Sequence, residues 1–349
     1  MKVALVLASN TCYAPYLYHY TRILEEQNID FDIIVWNKDN IEEKGCISYD
    51  EYADFNSSRL SRLTAYFRYA NFVRNTLKNG RYDRVVVFTI FLGILLSPYL
   101  KKRFKRNYIF DIRDYSPLLT FLPYMIRPVI LNAYSTSVSS AGFLEWLPKA
   151  GRYEISHNYS FDTTIDIRKD KIKDTNVILT IGFLRDFTAN KMIIESFKDS
   201  VNFALRFVGS GIAYAPLMNF VHDKEIGNVT FTGPYKKSEE QTFLKDVAIV
   251  NILLGKDINS RTLMTNRFYL AISNEIPVIV NENSIQGEYV KKYNLGVVIN
   301  DKDSIQEKVI NYLNTYDHIV FKKNCEKFLQ DIENDQISFV TTIQTFIKG

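Results

Sequence analysis

The chain is poor in residues that build cross-linked or metal-held folds. It has three cysteines in 349 residues, Cys12, Cys46 and Cys325, odd in number and far apart. That excludes a disulfide framework and a cysteine-based zinc site. No apolar run reaches the ~20 residues that a membrane-spanning helix needs. The longest, Val85 to Leu100, has 16 residues and contains Gly93 and Pro98. The opening, MKVALVLASNTCYAPY, has too short an apolar stretch for an export signal and suits a first strand. The expected location is therefore the cytoplasm. The dinucleotide fingerprint G-x-G-x-x-G is missing, which counts against a nicotinamide dehydrogenase. Glutamate is missing from residues 58–127, where 14 Lys and Arg meet 3 Asp, a net charge of +11.

What is present is apolar and nearly neutral overall. Apolar residues make up 46% of the chain, and 43 Lys and Arg balance 39 Asp and Glu. Disorder is excluded on those grounds. The length fits two domains of about 150 to 200 residues each. Residues 1–158 carry a net +5 and residues 159–349 a net −1, so the positive charge sits in the first half.

Continuous apolar runs predict parallel strands buried on both faces at Val3–Ala8, Phe31–Trp36, Arg84–Ile90 and Asn107–Ile112, with a fifth at Ser135–Ser139. Helical spacing lies between them: Leu17, Tyr20, Ile23 and Leu24 in one stretch, a basic amphipathic helix over 58–78, and a proline-interrupted one over 118–133. Near residue 157 the pattern breaks, and FDTTIDIRKDKIKDT (161–175) reads as an interdomain connection. A second alternation follows, with strands at Val177–Ile181, Leu205–Val208, Val229–Thr232, Ala248–Leu254, Val278–Val280 and Val297–Ile299, and helices at 190–198, 238–245 and 265–273. Two further helices are expected at 303–315 and 318–348. The fold class is α/β with two doubly wound domains. The expected divisions are 1–157, 158–320 and a C-terminal helical piece, 321–349, that crosses back to the first domain.

In open α/β sheets ligands bind outside the carboxyl ends of the strands. The loop after Val177–Ile181 offers Gly182, Arg185 and Lys191, two cations beside a helix start and suited to a diphosphate. The next loop is Gly209-Ser210-Gly211, whose amides suit a phosphate or a base edge. Gly233-Pro234-Tyr235 sets a ring at a strand end, where it stacks on a nucleobase or packs into a turn. Asn266 and Arg267 open a helix that runs into the Pro-led strand Val278–Val280. Three cations and two helix starts on one set of loops make an anion site.

The ordered segments G-F-L-R-x(5)-K, L-R-F-V-G-S-G, N-V-T-F-T-G-P-Y and N-R-F-Y-L-A-x(4)-I-P-V-I-V resemble the donor-binding domain of GT-B glycosyltransferases. They are most similar to glycosyltransferase family 4-like enzymes of bacterial capsule, O-antigen and exopolysaccharide synthesis. The likeness covers about 176–300 and extends faintly to 1–160, through Phe110-Asp111-Ile112-Arg113-Asp114 and Ser156-His157-Asn158. It implies two Rossmann-like domains facing a central cleft, an N-terminal one for acceptor and a C-terminal one for a nucleotide diphosphate sugar. It implies that Arg185 and Lys191 grip the donor pyrophosphate, that Gly182, Gly209, Ser210, Gly211 and Tyr235 lie about the nucleoside, and that Asn266 and Arg267 lie near ribose and phosphates. No cofactor and no metal are implied, cationic side chains and helix dipoles serving instead. A retaining hexosyl transfer from a UDP-sugar to a lipid-linked or glycan acceptor follows from the same kinship. Many relatives carry two Glu at positions occupied here by Thr262 and Leu270, and a glycine at the position of Glu275. The alternatives are therefore a catalytically inactive nucleotide-sugar-binding partner of a transferase, or a nucleotide-sugar epimerase of the same fold.

On the acceptor side, Ser9-Asn10-Thr11 replaces the relatives' glycine-rich loop, so Asn10 and Thr11 are the candidate contacts. Asp111 and Asp114, at a strand end, are candidate bases, with pairing to Arg113 or a helix cap as their competing role. In the retaining course the departing phosphate itself accepts the acceptor's proton. His19 and His157 read as packing residues. The basic run 58–127, where Arg59, Arg62, Arg68, Lys101, Lys102, Arg103, Lys105 and Arg106 interleave with Tyr66, Phe67, Tyr69, Phe72 and Phe104, suits the anionic inner leaflet of the cell membrane. The expectation is peripheral attachment there, with no nucleic-acid partner, because no nucleic-acid-binding motif accompanies the charge.

Overall fold

A computed structural model of the chain describes residues 1–52, 58–159 and 176–349. The stretch 161–175, read above as a connection, lies outside the described residues. The chain forms two compact units: Met1–His157 with Asn334–Gly349, and Asn158–Glu333.

The first unit holds seven parallel strands: β1 (Lys2–Val6), β2 (Asp30–Asn37), β3 (Cys46–Asp50), β4 (Arg84–Phe88), β5 (Tyr108–Ile112), β6 (Ser135–Val138) and β7 (Tyr153–Ile155), in the order β3-β2-β1-β4-β5-β6-β7. Helices α1 (Leu17–Glu26), α2 (Arg59–Asn79), α3 (Ile90–Arg103), α4 (Leu118–Phe121) and α5 (Arg127–Asn132) connect them. The α1 spacing buries Leu17, Tyr20, Ile23 and Leu24 against Val3, Leu5, Val35 and Phe88. That puts the apolar stripe of an amphipathic helix on a sheet face. β3 and β7 escape the sequence reading because they are edge strands of five and three residues with no apolar run. The expected strand over 84–90 ends at Phe88, and Ile90 opens α3. α3 buries Leu92, Ile94, Leu96 and Leu100 and packs against both α2 and α5, so its apolar residues surround the helix and hide its period.

The second unit has six parallel strands: β8 (Val177–Ile181), β9 (Ala204–Val208), β10 (Val229–Gly233), β11 (Val247–Asn251), β12 (Val278–Asn281) and β13 (Gly296–Ile299), ordered β10-β9-β8-β11-β12-β13. Its helices are α6 (Phe187–Phe197), α7 (Tyr214–Asp223), α8 (Ile258–Thr262), α9 (Asn266–Ser273), α10 (Ile285–Tyr293), α11 (Ile305–Thr315) and the first half of α12 (His318–Lys348). Leu179 and Ile181 enter the core shared with α9, α10 and α12, while Ile178 faces the core of α6, α7 and α11. Strands buried on both faces account for the continuous apolar runs. α7 and α10 were not anticipated. The segment 238–245, read as a helix, is a 3-10 turn over Lys237–Phe243.

α12 supplies side chains to both units. Phe321, Cys325, Phe328 and Ile332 belong to the second unit's core. Phe339, Ile343, Phe346 and Ile347 belong to the first unit's core. Ser156 and His157 end the first unit's main segment, where Arg113 Nη1 donates to the Ser156 carbonyl (2.9 Å) and buried His157 Nε2 lies 3.0 Å from Asp335 on α12.

Candidate functional site

In the second unit the strand order reverses between β8 and β11, the place in an open α/β sheet where the connections on either side leave in opposite directions. Both connections bring an arginine. Arg185 is exposed, one residue before Asp186, which caps α6 by accepting from the Ala189 amide at 2.9 Å. Arg267 is the second residue of α9, whose N-cap, Thr265, gives no side-chain cap because its hydroxyl donates to Gln286 Oε1 at 2.7 Å. Burial and the neighbouring Arg185 charge pull the Arg267 guanidinium down to about 10. Its one hydrogen bond runs to the Phe183 carbonyl at 3.5 Å, and among the described residues no carboxylate pairs with either arginine. Two like charges, one of them half out of water and set in the first turn of a helix, make a place that an anion stabilises.

Tyr235 completes the cluster. Its hydroxyl donates to Glu240 Oε1 at 2.9 Å, its ring packs edge-on to Phe243, and its electrostatic interaction with Arg267 opposes the downward shift there. Burial and Glu240 raise the Tyr235 phenol, so it stays a neutral donor. Glu240 was not singled out in the sequence. It lies five residues past Tyr235 in an irregular turn that no periodicity announces.

The glycines serve the loops themselves. Gly209 has φ +126°, and a Cβ on it would lie 2.0 Å from the Gly182 carbonyl oxygen. Gly211 has φ +143°, and its Cβ would lie 2.4 Å from the Leu184 carbonyl oxygen. Backbone bonds lace the three loops: Gly182 to Val208 (2.9 Å), Leu184 to Ser210 (2.8 Å) and Gly209 to Gly233 (2.8 Å). The Gly209 amide is thus spent on Gly233 and is no free donor for phosphate. Ser210 and Asn266 are exposed on the same edge.

Lys191 is held by its own helix and by α7. α6 begins at Phe187, so Lys191 sits in its second turn, with Nζ 3.5 Å from Glu195 and over the ring of Phe220 on α7. The partner beside Arg185 is Arg267. Thr262 is buried and donates to the Ile258 carbonyl (2.7 Å), and Leu270 is packed in the core.

In the first unit Asp111 is fully buried. Arg113 grips both its oxygens (Nε 2.5 Å, Nη2 2.7 Å) and Tyr20 donates to Oδ2 at 2.6 Å. Those three bonds take up most of its acceptor capacity and make Asp111 the anchor of a buried polar network. Asp114 is exposed at the same strand end, near Tyr16. Buried Asn10 donates to Asn37 Oδ1 (2.7 Å) and accepts the Lys38 and Asp39 amides (3.0 and 3.2 Å), tying the loops after β1 and β2 together. Thr11 donates through its amide and hydroxyl to Glu43 (3.0 and 2.7 Å).

The basic run does not form one face. Helices that return between parallel strands start at the carboxyl edge and end at the amino edge. Residues 58–67 open α2 at the carboxyl edge, whereas Lys101–Arg103 close α3 at the opposite one. Tyr69 and Phe104 are core residues, and Arg68 pairs with Glu51. What faces solvent is Leu60 (70% exposed), Leu63 (39%) and Phe67 (50%), one helical stripe on α2, together with Phe121 and Tyr124. Among the described residues no helix is long and apolar enough to cross a membrane.

No protein-family model and no curated protein matches the sequence. Solved structures do match. The lipopolysaccharide outer core galactosyltransferase WaaB in its apo form is 14% identical, with 97% of this chain and 99% of that one covered and a TM-score of 0.66. WaaG, a glycosyltransferase involved in lipopolysaccharide biosynthesis, is 13% identical, with 98% and 99% covered and a TM-score of 0.67. HepE from Anabaena, in complex with UDP and glucose, is 13% identical, with 99% and 100% covered and a TM-score of 0.65. The chain has the fold of these proteins, the GT-B arrangement of two Rossmann-like units.

Proposed function

We propose that the protein is a glycosyltransferase that takes a hexosyl group from a UDP-sugar and passes it to a lipid-linked or glycan acceptor in surface-polysaccharide synthesis. One observation carries the reading: Arg185, in the loop after β8, and Arg267, in the first turn of α9, stand together with no carboxylate paired to either among the described residues. A nucleoside diphosphate supplies the charge they lack, and Tyr235 and Asn266 border it. The UDP and glucose bound to HepE support that donor class, and the galactosyltransferase WaaB supports hexosyl transfer in envelope polysaccharides.

In the reaction the anomeric C–O bond to the diphosphate breaks and a bond from the acceptor oxygen forms at the same carbon. Negative charge grows on the departing diphosphate, where two guanidiniums and a helix start stabilise it more than they stabilise the bound donor. No resident metal or cofactor belongs to this scheme. The acceptor's hydroxyl proton passes to the departing phosphate oxygen, in a course that retains anomeric configuration, or to Asp114. Lys191 contributes to the field of the site from α6. The α2 stripe of Leu60, Leu63 and Phe67 holds the enzyme on the anionic inner face of the cell membrane, where a lipid-linked acceptor resides.

Titrating UDP into Arg185→Met and Arg267→Met tests the site. A charged hydrogen bond contributes roughly 1.5–3 kcal/mol, so each variant should lose about 10- to 100-fold in affinity at an unchanged melting temperature. UDP binding equal to the parent in the double variant refutes the assignment.

A further inference from the structure

Lys38 is the first residue past β2 and stands at the carboxyl edge of the first unit's sheet. Its amide is fixed by Asn10, and its side chain is folded back over two rings, with Nζ 4.4 Å from the Trp36 ring centre and 5.0 Å from that of Tyr66. Tyr66 is itself wedged, edge-on to Trp36 at 4.9 Å and to Phe91 in the first turn of α3 at 4.7 Å. The ammonium thus sits in an aromatic corner between β2 and α2, half-buried. Among the described residues its one polar contact is the Tyr66 hydroxyl at 3.4 Å, and none of its three N–H groups meets a carboxylate there. The charged and titratable groups facing it are Asp39 on its own loop, whose carboxylate accepts from Tyr13 at 2.7 Å, and the Tyr66 phenol on α2. Two residues before Phe91, Thr89 is the N-cap of α3, which opens without a side-chain cap, and its buried hydroxyl has no partner among the described residues.

A half-desolvated ammonium with unfilled donors is costly to keep unless a ligand completes it. We propose that Lys38 binds a phosphate group of the acceptor, so that the acceptor is a phosphorylated molecule, held in the first unit by its phosphate. The identity of the molecule as acceptor rests on the transferase reading; the anion site does not. Burial lowers the amine to about 8, so the grip is strong at neutral pH and fades as pH rises to 9.

The probe is inorganic pyrophosphate, titrated calorimetrically into Arg185→Met/Arg267→Met, which removes the second unit's anion site. Binding should persist there, weaken at least tenfold on adding Lys38→Met, and survive Lys38→Arg. Between pH 7 and 9 affinity should fall with lysine relative to the arginine variant, a difference that a purely structural lysine would not produce. Farnesyl diphosphate binding more tightly than pyrophosphate assigns the phosphate to a lipid carrier, and equal binding assigns it to a soluble phosphorylated glycan. Pyrophosphate bound as well by Lys38→Met as by its parent overturns the proposal. Loss of UDP binding in the parent protein, with Lys38-dependent pyrophosphate binding intact, removes the donor reading and leaves this one standing.

Discussion

Asp111 and Asp114 are three residues apart in the sequence and have opposite fates. Both stand where a strand ends, and sequence offers no means to tell which turns inward. The structure separates them: Asp111 is enclosed by Arg113 and Tyr20, Asp114 is exposed. Asp111→Asn leaves Arg113 buried without its counter-charge, and such losses cost about 3–5 kcal/mol. Its melting temperature should drop by many degrees. Asp114→Asn removes an exposed carboxylate and should leave the melting temperature unchanged. A fall of about 10² in kcat on Asp114→Asn is expected if Asp114 is the base, and unchanged kcat assigns the proton to the departing phosphate. Arg185 was legible because a cation follows a strand-ending glycine. Its neighbour Arg267 was legible only as one of three cations. Which two would meet depends on α6 starting at Phe187, which carries Lys191 round to Glu195. Lys38 left no trace in the sequence, because its aromatic corner is assembled from residues 36, 66 and 91.

At the scale of elements, what could be read followed burial on both faces. Central strands such as VALV and VVVF are apolar throughout and were placed to within two residues. The first sheet's edge strands, β3 and β7, carry no such signal, and α3, packed on several sides, shows no helical period. α12 is legible as a helix and its return to the first domain is expected from residue 321, but the point where it passes from one core to the other, between Glu333 and Asn334, is not legible, since Phe328 and Phe339 look alike in sequence. Each is fully buried, in the second and the first unit respectively. Removing a buried phenylalanine ring costs roughly 3–5 kcal/mol. Calorimetry should therefore show Phe328→Ala lowering the second unit's transition and Phe339→Ala the first unit's. Identical effects of the two on a single transition would mean that the units unfold together.

For the whole molecule the governing quantity is the uneven charge. The net +5 over residues 1–158 against −1 over residues 159–349 is visible by counting. Counting does not show that α2 and α3 carry the basic run to opposite edges of one sheet. The stretch 58–127 therefore cannot lie flat on a membrane as a single face. In the proposed membrane contact that place is taken instead by the carboxyl-edge stripe Leu60, Leu63 and Phe67, whose apolar groups water solvates poorly. Apolar insertion and charge attraction add in such a contact, each basic group contributing about 1 kcal/mol near an anionic surface. Vesicles of phosphatidylglycerol and phosphatidylethanolamine should pull down the protein at low salt. Leu60→Gln/Leu63→Gln/Phe67→Gln should weaken that at least fivefold without lowering the melting temperature, because none of the three is buried. Charge reversal at Lys101, Lys102 and Arg103 should weaken it much less, since those residues close α3 at the other edge. If the second set matters more than the first, the amino edge is the membrane face, and the carboxyl edge, with Lys38, is left open to soluble acceptors.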